Sequence, residues 1–136
     1  GTDGELQMLK TVVAGLVGVV LLAGCSTPKL VITNQATGMT GYGTATGVNA
    51  SSTGQVTIDI DGVPFSGPWV AMRDAGNAGL TFWSMGPKDS GVGIANLTSP
   101  NGKYVRCEFG YSMTSLSGIG LCKSKDGQTY DFMMGM

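Results

Sequence analysis

Three dipeptides, Asp61-Gly62, Asn101-Gly102 and Asp126-Gly127, punctuate this chain from residue 61 onward, and each is flanked by alternating residues. A residue that tolerates positive φ followed by glycine, set between stretches of period two, is the strongest short-range signal of a β-hairpin. Slipping such a hairpin by one residue exchanges its buried and wet faces, so the apolar pattern dictates which residues oppose one another. A two-residue turn at Asp61-Gly62 faces Ile60 with Val63, Ile58 with Phe65, Val56 with Gly67 and Gly54 with Trp69. It leaves Thr57, Asp59 and Pro64 on the solvent side.

The other two turns work best as three-residue loops, Pro100-Asn101-Gly102 and Lys125-Asp126-Gly127, with glycine in the left-handed position. The first pairs Leu97 with Val105, Ala95 with Cys107 and Gly93 with Phe109. The second pairs Cys122 with Tyr130, Gly120 with Phe132 and Gly118 with Met134. A hairpin centred on Thr114 and Ser115 then sets Cys107 opposite Cys122, Phe109 opposite Gly120 and Tyr111 opposite Gly118, in agreement with both neighbours. One face thereby collects Val105, Cys107, Phe109, Tyr111, Cys122, Tyr130 and Phe132, with glycine repeatedly opposite a ring. The expected fold is all-β, an antiparallel meander of about seven or eight strands closed into a small barrel or folded into a sandwich, preceded by an N-terminal signal helix.

Upstream, residues 33–54 contain no charge and are rich in threonine and glycine. Composition alone reads as a flexible linker. The alternation of Gly41, Gly43, Ala45 and Gly47 with Tyr42, Thr44, Thr46 and Val48 reads instead as a strand over Thr40 to Val48 with one nearly bare face, open to close approach by a ring or another backbone. On that reading the linker falls mainly on Ser26 to Lys29 and Ala50 to Thr53.

The amino-terminal part carries a different kind of information. Val12 to Gly24 is an apolar and glycine run of thirteen residues after Met8, Leu9 and Lys10. A bilayer-spanning helix needs about 20 apolar residues, whereas a short positive region, an apolar middle and small residues before a cut describe a secretory signal. Leu22-Ala23-Gly24-Cys25 resembles the lipobox of bacterial lipoproteins. The resemblance implies cleavage before Cys25, a diacylglycerol on its thiol, and a chain held on a membrane. Ser26, where an aspartate retention signal is absent, implies the outer membrane facing the periplasm. The organisation expected is then an appended segment or over-extended start at 1–7, a signal peptide at 8–24, a lipidated tether at 25–32 and one β domain at 33–136.

The chain holds eight basic and nine acidic residues, of which Lys10, Asp3 and Glu5 precede Cys25, leaving seven of each sign in the mature part. With no basic patch to neutralise phosphates, nucleic acid is not an expected partner. There is no histidine, which removes the usual base of Ser/His/Asp and Cys/His sites and the commonest metal ligand. No metal and no cofactor is expected beyond the covalent lipid on Cys25. Export to an oxidising compartment makes a Cys107–Cys122 disulfide the expectation, two separate buried thiols being the alternative. The stretch Cys107-Glu108-Phe109, Gly118-Ile119-Gly120-Leu121-Cys122 and Gly127-Gln128-Thr129-Tyr130-Asp131 looks like the ending of small, β-rich, cysteine-bridged lipoproteins of Gram-negative bacteria, a likeness that implies no activity.

Asp59 and Asp61 are two apart, the spacing that aims two carboxylates to one side of a straight strand, as a carboxylate-pair hydrolase requires. Asp61 falls in a turn and Asp59 on the wet face, so the pair reads as turn chemistry, and the calcium-loop fragment it also resembles lacks the remaining ligands. Trp69 and Trp83 flank the least regular part of the chain. They read as core residues or as binding anchors, and with Arg73, Asp74, Asn77 and Lys88 they mark the candidate recognition surface. The methionines, including Met133, Met134 and Met136, read as flexible apolar filler. The function expected is a non-enzymatic binding or structural module of the cell envelope, anchored to its membrane and engaging an envelope protein. An inhibitor of a periplasmic or host hydrolase such as lysozyme, and a carboxylate hydrolase, are the alternatives.

Overall fold

The computed structural model describes residues 28–47, 53–72, 80–83 and 91–135. The signal helix, the lipobox with Cys25, and Arg73, Asp74, Asn77 and Lys88 lie outside the described residues. Eight antiparallel strands close in chain order into a barrel: β1 (Lys29–Asn34), β2 (Thr40–Ala45), β3 (Thr53–Ile60), β4 (Val63–Met72), β5 (Gly91–Thr98), β6 (Tyr104–Ser112), β7 (Ser117–Ser124) and β8 (Thr129–Gly135). Closure is a barrel rather than a sandwich, because β1 pairs with β8 from Lys29↔Gly135 to Asn34↔Tyr130. No helix occurs among the described residues.

Every register read from the turns is present. Ile58 opposes Phe65 and Gly54 opposes Trp69 across β3 and β4, Ala95 opposes Cys107 across β5 and β6, and Cys122 opposes Tyr130 across β7 and β8. The first turn has Asp61 at φ 54° and Gly62 at φ 82°, the pair of left-handed conformations that a type I′ hairpin needs. The two longer loops close with Ser99 N donating to Lys103 O and Ser124 N to Gln128 O, both beside a left-handed glycine.

The strand expected over Thr40 to Val48 is β2, and its bare face points inward. A Cβ on Gly41 would stand 1.8 Å from Asp59 O, and one on Gly43 would stand 2.2 Å from Thr57 O. The missing side chains therefore let the backbone of β3 approach β2 closely on the inner face. The tether boundaries need correction. Lys29 to Ile32, assigned to the 25–32 tether, belong to β1, with Leu30 and Ile32 fully buried, and Thr53 opens β3. Leu30-Val31-Ile32 is a short apolar run that pairs with β2 on one side and, about a hundred residues away, with β8 on the other; a run this short has too little periodicity to separate it from the linker.

The interior is filled by side chains, as an eight-stranded barrel permits. Leu30, Ile32, Val56, Ile58, Phe65, Leu97, Phe109 and Phe132 are all buried within it. The disulfide joins Cys107 to Cys122 inside the barrel, their Cα atoms 3.9 Å apart on directly opposed positions. Phe109 and Phe132 meet above it with ring centroids 5.6 Å apart, tilted by 48°, a favourable arrangement for two quadrupoles.

Candidate functional site

The barrel has two unlike ends. The proximal end carries Lys29, Gly135 and the β6–β7 turn; the distal mouth carries the four short hairpin turns that join β1 to β2, β3 to β4, β5 to β6 and β7 to β8. At the distal mouth lies a concavity of about 810 Å³ with Ile60, Phe65 and Val105 at its floor and Asp61, Lys103 and Lys125 on its rim.

A polar network laces this mouth together. Asn34, the last inward position of β1, donates from Nδ2 to both Asp61 carboxylate oxygens at 3.2 and 3.3 Å and to Gln128 Oε1 at 3.1 Å. Its Oδ1 accepts from the Ala36 and Thr37 N–H groups, holding the β1–β2 turn. Tyr130 Oη donates to Asp61 Oδ2 at 2.8 Å. Burial, with Asp61 accepting its proton and Asp61 and Asp126 charged nearby, pushes the Tyr130 hydroxyl well above the usual phenol range. Asp126 is engaged by the Ser124 hydroxyl, which holds its carboxyl below the usual range. Asp61 is thus an acceptor that ties three chain segments to one point. It does not face Asp59, which opposes Pro64 on the outer surface, so the two carboxylates do not flank a common cleft as a paired acid and base would.

A second site lies on the outer wall. Glu108, between Cys107 and Phe109 on β6, points away from the barrel interior and yet is fully buried. Its carboxylate accepts from the successive N–H groups of Thr81, Phe82 and Trp83 at 2.8 to 2.9 Å, from Thr81 Oγ1 at 2.8 Å and from Arg106 Nε at 2.9 Å. Burial alone would raise this acid. The donors from Phe82, Thr81 and Arg106 outweigh it and hold Glu108 down at about 2. The result is a clamp that pins residues 81–83, in the middle of the long β4–β5 connection, against the sheet. Lys123 Nζ caps the Phe82 ring at 5.1 Å from its centroid. Trp83 is buried on this wall, and its Nε1 has no hydrogen-bond partner among the described residues.

These placements revise the candidate recognition surface. Trp69 is not on a surface: it faces the barrel interior, and its Nε1 donates to Thr46 O at 2.8 Å. Trp83, itself part of the connection, is likewise buried, its N–H held by Glu108. Cys107 and Cys122 form the expected bridge. Met133 is not filler: it is 48 % exposed, while Met134 packs partly against the core. Asn34, Glu108, Gln128 and Tyr130 were not singled out by sequence reasoning. The available signal was Glu108, a charge set between two interior residues, Cys107 and Phe109, on β6. Compared with known protein families, curated proteins and solved structures, the chain matches none, and its functional reading rests on its own residues.

Proposed function

We propose that this chain is a lipoprotein of a bacterial cell envelope, acylated at Cys25 and held on the outer membrane facing the periplasm, whose barrel serves as a non-enzymatic binding module for another envelope component. The observation that carries the reading is the junction of anchor and domain. Cys25 of the lipobox-like Leu22-Ala23-Gly24-Cys25 stands four residues before Lys29, where β1 and the buried core begin. A fully extended chain spans at most about 3.6 Å per residue, so a lipid on Cys25 would keep the barrel within roughly 14 Å of the bilayer.

Several features support a binding role over an internal ligand site. The interior is occupied by side chains and a disulfide, which leaves the mouth, the outer wall and the β4–β5 connection for recognition. The carboxylates of Asp61 and Glu108 are engaged by internal donors, a use that rigidifies a scaffold. Rigid β scaffolds carrying one long connection commonly recognise partners through that connection.

The test is metabolic labelling with an alkyne analogue of palmitate in a Gram-negative host, followed by envelope cross-linking, for the wild type and Cys25→Ala. Label on the wild type alone, a mature mass beginning at Cys25 and a recurrent envelope partner lost in the variant are the expected results. An unlabelled wild type retaining residues 12–24 would overturn the anchor; labelled protein that captures no specific partner would overturn the binding module.

A further inference from the structure

Exposed apolar groups of the barrel gather on one side, with Met39 in the distal β1–β2 turn and Val70 on β4 lying apart from them. On the side formed by β7, β8, β1 and β2, Ile119 opposes Met133, Met133 opposes Val31 and Val31 opposes Tyr42. These four side chains form one unbroken apolar row across four strands, about 14 Å long at the usual spacing between strands. Tyr42 is 68 % exposed, Met133 48 % and Ile119 39 %. Polar outward positions of a sheet are the rule where the other face is the core, so a directly opposed row of exposed apolar groups calls for an occupant.

The row lies in the proximal half, next to the rim formed by Ser117, Gly135, Lys29 and Thr44. Met72 at the end of β4 and Met113 in the β6–β7 turn add exposed apolar groups at the same end. Charge has the opposite distribution. Asp59, Asp61, Asp126 and Asp131 all lie toward the distal mouth, and Lys29 is the one charged residue of the proximal rim among the described residues. Among the described residues, anionic or zwitterionic headgroups would meet one cation and no carboxylate there, with apolar groups beside it, while the described exposed carboxylates lie toward the other end.

The chain itself says which occupant fits. Lys29 opens β1 at the proximal rim, and the candidate acyl site at Cys25 is four residues away. A short tether leaving the apolar end brings that end to the bilayer and no other. We infer that the β7–β8–β1–β2 wall lies against the phospholipid surface, with Tyr42, Met133 and Ile119 in the interfacial layer and the distal mouth turned to the aqueous side. Tyrosine suits that layer because its ring is apolar and its hydroxyl stays wet, and methionine adapts to a mobile surface. Docking fixes the orientation of the barrel, so the mouth and the clamped connection are presented at a set height rather than swinging on a leash. The inference rests on the reading that Cys25 carries lipid.

The test uses the mature, acylated protein in vesicles of phosphatidylethanolamine and phosphatidylglycerol, with benzoylphenylalanine placed singly at Tyr42, Met133 or, at the distal end, Tyr104. The mass of the amino-terminal peptide in the same sample reports the acylation. Lipid adducts several-fold more abundant at positions 42 and 133 than at 104 are expected. Acylated protein with equal, low adducts at all three positions would show a barrel that swings free, and adducts to a second protein chain at 42 and 133 would assign the row to self-association; either overturns the docking and leaves the anchor standing. An amino-terminal peptide without acyl chains overturns both.

Discussion

At Glu108 one carboxylate does the work of a loop's packing. Five donors converge on a group with no exposed surface, and removing their acceptor leaves buried N–H groups without partners. Glu108→Gln, which keeps the shape but supplies one oxygen and a competing NH2, is expected to lower stability by about 2 to 4 kcal/mol in urea unfolding at pH 7. Its acid dependence follows from the depressed folded value. The unfolded group titrates near 4.5 and the folded one near 2, so the stabilisation is full above 4.5 and is lost as pH falls from 4.5 toward 2, by at most about 3 kcal/mol. The wild type should lose that increment between pH 5 and 2, and Glu108→Gln should not; equal acid slopes would refute the clamp. Tyr130 behaves in the opposite sense. Its folded value is raised, so its contribution is intact below the ordinary phenol range and is lost as pH rises above it. Ultraviolet titration should show a tyrosine that ionises late in the wild type, and this late phase should vanish in Tyr130→Phe. Gly120 is a residue defined by what surrounds it: a Cβ there would lie 2.1 Å from Glu108 O and 2.6 Å from Phe109 Cβ, neither able to swing aside, so Gly120→Ala is expected to cost about 1 to 3 kcal/mol.

At the scale of elements, the hairpins are individually specified and then cross-tied. The β6–β7 hairpin is closed by the Cys107–Cys122 bridge, a sequence separation of 15 residues. Constraining an unfolded loop of that size stabilises by about 3 kcal/mol in the chain-entropy view. Reduction, or the double variant Cys107→Ala and Cys122→Ala, should lower the unfolding free energy in urea by about 3 kcal/mol. The intact protein should show no thiol reactivity from these two positions, and two equivalents of reagent taken up before reduction would contradict the bridge. The β3–β4 and β7–β8 turns use the same Asp-Gly chemistry to different ends: Asp61 also accepts from Asn34 and Tyr130, whereas Asp126 bonds only locally, with Ser124. That difference was not legible in either dipeptide, because the partners come from β1 and β8.

For the whole molecule the decisive contact is the seam between β1 and β8, the first and last strands, which removes both edges of the sheet. An open eight-stranded sheet would present β1 and β8 as templates for another chain. Ile32→Pro, which deletes a ladder hydrogen bond and breaks this seam, should produce aggregating species, absent from the wild type, in size-exclusion chromatography with light scattering. An Ile32→Pro protein that stays folded and elutes as the wild type does would mean that closure is dispensable. The seam also assembles the apolar row, since Val31 and Met133 meet only through it. The clamp on β6 lies beside the wall that carries the row: β6 pairs with β7, and Lys123 of β7 meets the Phe82 ring of the clamped connection.

The local registers of the β3–β4, β5–β6, β6–β7 and β7–β8 hairpins, and with them the opposition of Cys107 to Cys122 and the glycines facing rings, were determined by the sequence alone. Turn chemistry and period two act over a few residues and leave one register that buries the apolar set. Closure into a barrel, the membership of Lys29 to Ile32 in β1, the interior position of Trp69, the Asn34–Asp61–Tyr130 network and the Glu108 clamp were decided by the tertiary structure. Each of these depends on segments tens of residues apart meeting in space, and the free energy that selects them comes from burial and hydrogen bonding that exist only once the chain has closed.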